Sequence, residues 1–204
     1  VHMAGIKTPN SIVLDSLISD GELSKQTAHL HYPLFVKPVK AGSSFGITKV
    51  ANQSGITAAA HVAFQHDRKV IIEEAIDGFE VGCAVLGNET ITIGKFDEIE
   101  LSQGFFDYTE KYTLKTSKIH MPARIDADTA ERIRKTAAVI YRVLDCRGFA
   151  RVDIFLTPEN EIVFNEVNTI PGFTAHSRYP NMLKGIGMTF PQVVDELIRL
   201  AIEQ

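Results

Sequence analysis

Cysteine, basic charge and long apolar runs are all scarce in this chain, and each shortage closes off a class of protein. Its two cysteines, Cys83 and Cys146, lie far apart within apolar segments, so neither a disulfide framework nor a metal-ligand spacing is present. Both read as reduced core residues of a cytoplasmic protein. A net charge of -4 leaves no basic footprint for nucleic acid or an anionic membrane. No apolar run approaches membrane-spanning length, and the N-terminus shows no signal-peptide pattern. Repeats and low-complexity tracts are missing too. What is there is 204 residues with 45% hydrophobic content, enough for a sizeable core and two lobes. Val1-His2-Met3-Ala4-Gly5 reads either as the tail of a helix that began earlier or as an expression scar, and the expectation is that native residues precede it.

Two runs near the C-terminal end carry the densest chemistry. Arg151 to Leu156 and Glu161 to Asn168 both read as strands, joined by the turn residues Thr157-Pro158-Glu159-Asn160. Side chains alternate along a strand, so Arg151 shares a face with Asp153, and Glu166 with Asn168. If the strands pair with those faces aligned, a guanidinium, two carboxylates and an amide oxygen converge. Such oxygens suit Mg²⁺, with substrate phosphates completing its shell. A half-exposed hairpin with a polar outer face fits the alternation equally well, and both readings stand at this point.

Upstream, Ala4-Gly5 to Pro9 reads as a glycine-closed helix end, and Asn10 to Leu14 as a strand; Leu17 to His29 is polar and ambiguous. Leu34 to Lys37 is a short strand stopped by Pro38. The loop Val39 to Ile47 follows, where Gly42, Gly46, Ser43 and Ser44 can face an anion. It is not a P-loop, because Lys37 precedes it and no Gly-Lys-Ser/Thr occurs. Ser54 to Gln65 reads as an amphipathic helix capped by Ser54, with Ile56, Ala60, Ala63 and Phe64 on one side. Lys69 to Ile76 is a strand running into Asp77-Gly78, the expected lobe boundary, flanked by Glu73 and Glu80. Phe79–Leu86 and Thr90–Phe96 form a hairpin through Gly87-Asn88.

Glu98 to Met121 has little apolar periodicity and reads as a long lid loop, its rings Phe105, Phe106, Tyr108 and Tyr112 suited to closing on something. Asp126 to Leu144 is a helix with Ile133, Ala137, Ile140, Tyr141 and Leu144 on one face. Thr169 to Pro180 reads as a polar loop. Pro191 to Ile202 closes the chain as a helix presenting Val194, Leu197, Ile198 and Ala201. The order implies an α+β fold in two small lobes with a cleft between them.

Phe35-Val36-Lys37-Pro38, Gly42-Ser43-Ser44-Phe45-Gly46, Glu73 with Glu80, Phe106-Asp107-Tyr108 with Lys111-Tyr112, Gly148 to Asp153, and Asn165-Glu166-Val167-Asn168-Thr169 with Pro171-Gly172 occur in that order. The ordered set resembles the ATP-grasp portion of the D-alanine–D-alanine ligase family, from about Ala4 to the end. Phe79 to Asn88 and His176-Ser177-Arg178-Tyr179-Pro180 lean towards its vancomycin-resistance branch. The resemblance implies an ATP-grasp fold with the nucleotide cleft between two α+β lobes. Residues 1–77 would be the first part of the central lobe, and 78–204 the catalytic lobe with a lid at about 98–121.

By the same resemblance Lys37 would neutralise nucleotide phosphates beneath the loop of Ser43 and Ser44. Glu73 and the Glu74-Ala75-Ile76 backbone would hold adenine, and Glu80 the ribose. Asp153, Glu166 and Asn168 would hold two Mg²⁺ ions (Mn²⁺ as a substitute), and Lys111 would reach the transferring phosphate. Arg151 and the Gly172 N–H would face the charge that develops on the carbonyl. Ser43 and Tyr112 would orient the first D-alanine with a glutamate this chain does not supply, so the chain alone is expected to be inactive.

Ser177, Arg178 and the lid residue Phe106 would read the second amino acid. Arg178 can hydrogen-bond a small hydroxyl, and Lys111-Tyr112 matches the amine-using ligases, which together favour D-serine. The implied activity is ATP-dependent joining of D-alanine to D-serine through a D-alanyl phosphate. The alternatives are a housekeeping D-alanine–D-alanine ligase and a non-catalytic nucleotide-binding module. The implied partners are these small molecules and a second copy of the full-length protein, with no nucleic acid or membrane.

Overall fold

The computed structural model describes residues 1–42, 44–101, 117–174 and 176–203. The chain divides into two compact units: Pro9–Ile76 forms the body of one, while Val1–Thr8, Asp77–Glu100 and Lys118–Gln204 make up the other.

In the first unit β1 (Ser11–Leu14), β2 (Leu34–Pro38), β3 (Thr48–Val50) and β4 (Val70–Glu74) pair antiparallel in the order β1-β4-β2-β3. Helices α1 (Asp20–Thr27) and α2 (Ile56–Phe64) pack on this sheet. Leu23, Ile56, Ala59, Ala60 and Ala63 meet Leu34, Val36, Val70 and Ile72 in a fully apolar core. α1 arises from the ambiguous polar stretch because Ser19 caps it, its hydroxyl accepting from the Glu22 N–H, and Leu23 and Thr27 are buried on its inner face. The cap expected at Ser54 belongs to Asn52. Asn52 has extended backbone and accepts from the Ser54 N–H, whereas Ser54 already lies inside a 3-10 turn, Gln53–Gly55, that leads into α2.

The second unit opens with a 3-10 turn at His2–Ala4, closed by Gly5 at φ 77 as the glycine predicts. Its strands are β5 (Phe79–Gly87), β6 (Ile91–Ile93), β7 (Asp97–Leu101), β8 (Ser117–His120), β9 (Phe149–Leu156) and β10 (Ile162–Asn168). They follow the order β10-β9-β5-β7-β8, with β6 also pairing β5 as the expected hairpin. Helix α3 (Ala127–Val143) covers one face, setting Ile133, Ala137, Ile140 and Tyr141 against Val81, Cys83, Val85, Val152 and Ile154. Leu144 ends the helix as its cap and is exposed instead of buried. Cys146 packs partly against the same core, and both cysteines are free. On the other face α4 (Arg178–Lys184) and α5 (Phe190–Ile202) bury Tyr179, Met182, Leu183, Val193 and Leu200 against Ala84 and Leu86. Burial on both faces is why β5 carries no charged residue from Val81 to Gly87.

Three expectations change here. The lid was expected over about 98–121, but Asp97–Leu101 and Ser117–His120 are strands. Asp97 and Glu98 look like loop residues in the sequence, yet both are buried against arginines. The polar loop after β10 ends early, because Tyr179 and Pro180 already belong to α4. On α5 the inward stripe is Val193, Leu197 and Leu200, while Ile198 is 56% exposed. Two adjacent stripes of this helix are apolar, and packing on α4 and β5, not periodicity, selects between them. Among the described residues no helix is long and apolar enough to cross a membrane.

Candidate active site

The hairpin pairs with its polar faces aligned, and a β-bulge is the reason. From the turn, β10 matches β9 as Ile162↔Leu156, Val163↔Phe155 and Phe164↔Ile154, after which the register shifts and Glu166 lies opposite Asp153 and Asn168 opposite Arg151. Were Asn165 paired opposite Asp153 in unbroken register instead of bulged out, Glu166 would fall opposite Val152 and inside the apolar core. The bulge keeps Val167 on the core face with Val152 and turns the two polar side chains outward.

Arg151 grips Asp153 through Nε to Oδ1 at 2.7 Å and Nη2 to Oδ2 at 2.7 Å, and Asn168 Nδ2 donates to Asp153 Oδ2 at 2.8 Å and to Glu166 Oε1 at 3.1 Å. Burial works against the Arg151 charge, but Asp153 outweighs it and holds the guanidinium above its ordinary value.

The same face continues across the sheet. Gly82 on β5 lies opposite Asp153 on one side and Asp97 on the other, so Glu166, Asp153, Gly82 and Asp97 form a row across four strands. The gap at Gly82 is filled by Arg178, the first residue of α4. Its Nε and Nη2 donate to Asp97 Oδ2 and Oδ1 at 2.8 and 2.7 Å, and its Nη1 donates to Glu80 Oε1 at 2.8 Å. Nη2 also lies 3.8 Å from Asp153 Oδ1. A Cβ on Gly82 would stand 2.3 Å from Arg178 Nη2, which is why this position is glycine. Burial works against the Arg178 charge, yet Asp97 and Asp153 raise it well above its ordinary value. Burial pushes the Glu80 carboxyl up; Arg178 pulls against that, Asp153 adds to it, and the value ends raised.

Arg178 and Glu80, expected to read substrate and ribose separately, are thus bonded to each other. Asp97 and Gly82 went unrecognised in the sequence, where Asp97 reads as the threshold of the lid. Beside this cluster the Ser177 hydroxyl accepts from the Thr174 N–H at 3.0 Å and lies next to Gly172, whose own N–H has no acceptor among the described residues.

In the other unit, Lys37 on β2 pairs with Glu73 on β4, Nζ to Oε1 at 2.6 Å, both side chains largely buried. Glu74 accepts from the His31 N–H and Asn10 Nδ2, while its own N–H and that of Ala75 donate to Asn10 O and Pro33 O. Of the three amides expected to face adenine, two are therefore engaged within the unit, and Ile76 supplies the third. Ser44 has a left-handed backbone at φ 58, and Gly46, at φ 72, packs on the His66 ring. Ser43, Phe106, Lys111 and Tyr112 lie outside the described residues.

The donors fit a hard divalent cation in kind. Four carboxylates, Glu80, Asp97, Asp153 and Glu166, stand against two guanidiniums, leaving the face negative, and Glu166 is exposed beside the Asn168 amide. Among the described residues no three His, Cys, Asp or Glu side chains group as a metal cage.

Two mixed units, one presenting a charged ribbon face and the other a lysine strand leading into a glycine- and serine-rich loop, define an ATP-grasp protein. The crystal structure of VanG D-Ala:D-Ser ligase from Enterococcus faecalis superposes with a TM-score of 0.88 at 60% identity, covering 98% of this chain and 58% of that one. The chain belongs to the D-alanine–D-alanine ligase family: residues 2–199 match the family described as D-ala D-ala ligase C-terminus. It is 47% identical over 206 residues to the vancomycin B-type resistance protein VanB of Enterococcus faecalis, which covers 98% of this chain and 59% of that protein. To the D-alanine–D-alanine ligase of Chlorobium luteolum it is 48% identical over 177 residues, 86% of this chain and 49% of that protein. The chain thus spans between about half and three-fifths of the relatives it matches. The likeness to the vancomycin-resistance branch is borne out.

Proposed function

We propose that this chain is the ATP-grasp portion of a cytoplasmic ligase that joins D-alanine to D-serine at the expense of ATP, for peptidoglycan precursors and vancomycin resistance. The observation that carries the reading is the row Glu166–Asp153–Gly82–Asp97 with Arg178 seated in its gap beside Ser177. It offers a phosphate-and-metal end and a polar, charged end suited to a small hydroxyl amino acid. The 60% identity to a D-Ala:D-Ser ligase supports the same choice. In this reading 1–77 serve as the first part of the central lobe and 78–204 as the catalytic lobe, within a protein that forms homodimers.

The chemistry asks mainly for positioning and charge neutralisation. The D-alanine carboxylate attacks the γ-phosphorus of ATP in line, releasing ADP and leaving an acyl phosphate. The amine of the second amino acid then attacks that carbonyl, and the tetrahedral intermediate expels phosphate. Lys37 neutralises nucleotide phosphates, exchanging Glu73 for them, and the released Glu73 and the Ile76 N–H meet adenine. Asp153, Glu166 and Asn168 would hold Mg²⁺, which when bound neutralises and aligns the phosphates. Arg151, fixed by Asp153, and the Gly172 N–H face the oxyanion. Glu80 takes the ribose, and Ser177 and Arg178 the second amino acid, with Phe106 opposite. Ser43, Tyr112 and Lys111 take the roles of the family residues they match: orienting the first D-alanine and contacting the transferring phosphate.

The test is phosphate release from ATP and D-alanine, with and without D-serine, by the protein that carries this chain. Preference for the mixed product is expected. Equal use of D-alanine over a wide pH range would favour a housekeeping ligase, a reading supported by the 48% identity to one. ATP binding without turnover would mark a binding module. Arg151→Ala is expected to cost about 3 kcal/mol of barrier, read as a loss on the order of a hundredfold in kcat.

A further inference from the structure

β4 runs out where the proposed function, on which this inference rests, needs an amide aimed at adenine. Its last bonds to neighbouring chain run from the Glu74 N–H to Asn10 O and from the Ala75 N–H to Pro33 O, each 3.0 Å. The next amide, at Ile76, has no acceptor among the described residues, so its direction is inherited from those two bonds. Both acceptors lie just outside the strands that flank β4, Asn10 before β1 and Pro33 before β2.

The Glu74 side chain grips both of these segments. Its Oε2 accepts from Asn10 Nδ2 at 2.9 Å, while its Oε1 accepts from the His31 N–H at 2.8 Å and lies 2.8 Å from His31 Nδ1. The carboxylate is only 15% exposed, so little water competes for these donors. On each side of β4, then, one main-chain bond is backed by a bond to the same residue's carboxylate. The direction of the Ile76 amide matters because N1 of adenine accepts a hydrogen bond, whereas N1 of guanine carries a proton and meets an N–H donor to donor. A donor held in one direction discriminates between the two bases, and one free to swing aside does not.

We infer that the Glu74 carboxylate, by fixing Asn10 and His31 on either side of β4, sets the direction of the Ile76 N–H and with it the preference for adenine over guanine nucleotides. Glu74 is a positioning residue, acting through its two partners.

The test is calorimetric titration of ADP and of GDP, each with Mg²⁺, into the protein that carries this chain. ADP is expected to bind more tightly than GDP. Glu74→Ala is expected to weaken ADP by about three- to tenfold, the worth of one hydrogen bond, without weakening GDP. Glu74→Gln is expected to recover most of the ADP affinity, because its amide oxygen can accept from the His31 N–H and its NH₂ can donate to a turned Asn10 side chain. Asn10→Ala frees one side only and is expected to weaken ADP by about two- to threefold, again sparing GDP; it decides the matter if thermal melting shows that Glu74→Ala does not fold. A folded Glu74→Ala or Asn10→Ala protein that keeps the native ratio of ADP to GDP affinity overturns this inference, making Glu74 a strut of the sheet and leaving the nucleotide reading standing. Equal affinity for ADP and GDP in the unsubstituted protein overturns the adenine contact and this inference together. Absence of ADP binding overturns the proposed function as well.

Discussion

A methyl group added at Gly82 would lie 2.3 Å from Arg178 Nη2, 2.5 Å from Asp97 Oδ1 and 2.8 Å from Met182 Cε. Gly82→Ala is therefore expected to destabilise the protein by about 1–3 kcal/mol through overpacking, measured by urea denaturation. Asp97→Ala removes both acceptors of a bidentate, buried guanidinium and is expected to cost about 3–5 kcal/mol in the same assay. Neither residue stood out in the sequence. Arg151, Asp153, Glu166 and Asn168 did, because alternation along two adjacent strands puts them on one face whatever the rest of the fold does. Arg178 meets Asp97 across 81 positions and Glu80 across 98, and no local pattern records a partner that distant. Each looked like a surface charge or a substrate contact until the helix start and the strands were in place.

Among the elements, β10 shows how one inserted residue decides which face a side chain takes. Its core positions run Ile162, Phe164, Val167, a step of two followed by a step of three, and that change of stride is the bulge at Asn165 written into the sequence. Deleting Asn165 is expected to close the bulge while Phe164 stays opposite Ile154 and Glu166 opposite Asp153, so Glu166 keeps its face and the protein still folds cooperatively, measured by thermal denaturation. Helix α3 was legible for the complementary reason: its apolar stripe is long, and Asp126 caps it by accepting from the Thr129 N–H at 2.7 Å. Asp126→Ala is expected to cost about 1 kcal/mol, measured by thermal denaturation. β7 was hidden because its acids are buried. Glu98 is clasped by Arg124 through several hydrogen bonds, and polarity signalled a loop where ion pairing had made a strand.

Over the whole molecule, such pairs set how stability responds to acid. Burial works against the Glu98 charge, but hydrogen bonds from Arg124 outweigh it and hold the carboxyl below its ordinary 4.5. Burial likewise opposes the Glu74 charge and is outweighed by His31 and Asn10. A depressed native value means that the unfolded chain binds protons first. The stabilisation is present above pH 4.5 and is lost as pH falls through the native values. Glu80 runs the other way: its raised value means the native state keeps its proton longer, so stability declines as pH rises past its ordinary 4.5. Glu98→Gln is expected to flatten the acid limb, seen as a smaller drop in melting temperature between about pH 6 and pH 3. Element order had already implied a two-part α+β chain, and the ordered motifs a resemblance to this family; the buried charges that give it its acid response had not been visible.

The row from Glu166 to Asp97 also bears on how the sheet chooses its alignment. The apolar faces of β5, β9 and β10 are built from valine, isoleucine, leucine, alanine, cysteine and phenylalanine, and a slip of two residues would keep each of them on its own face. Charge opposes one such slip, because moving β5 by two residues so that Glu80 lies opposite Asp153 would set carboxylate against carboxylate. The acids thereby bias β5 against a shifted register that hydrophobic packing alone would let through.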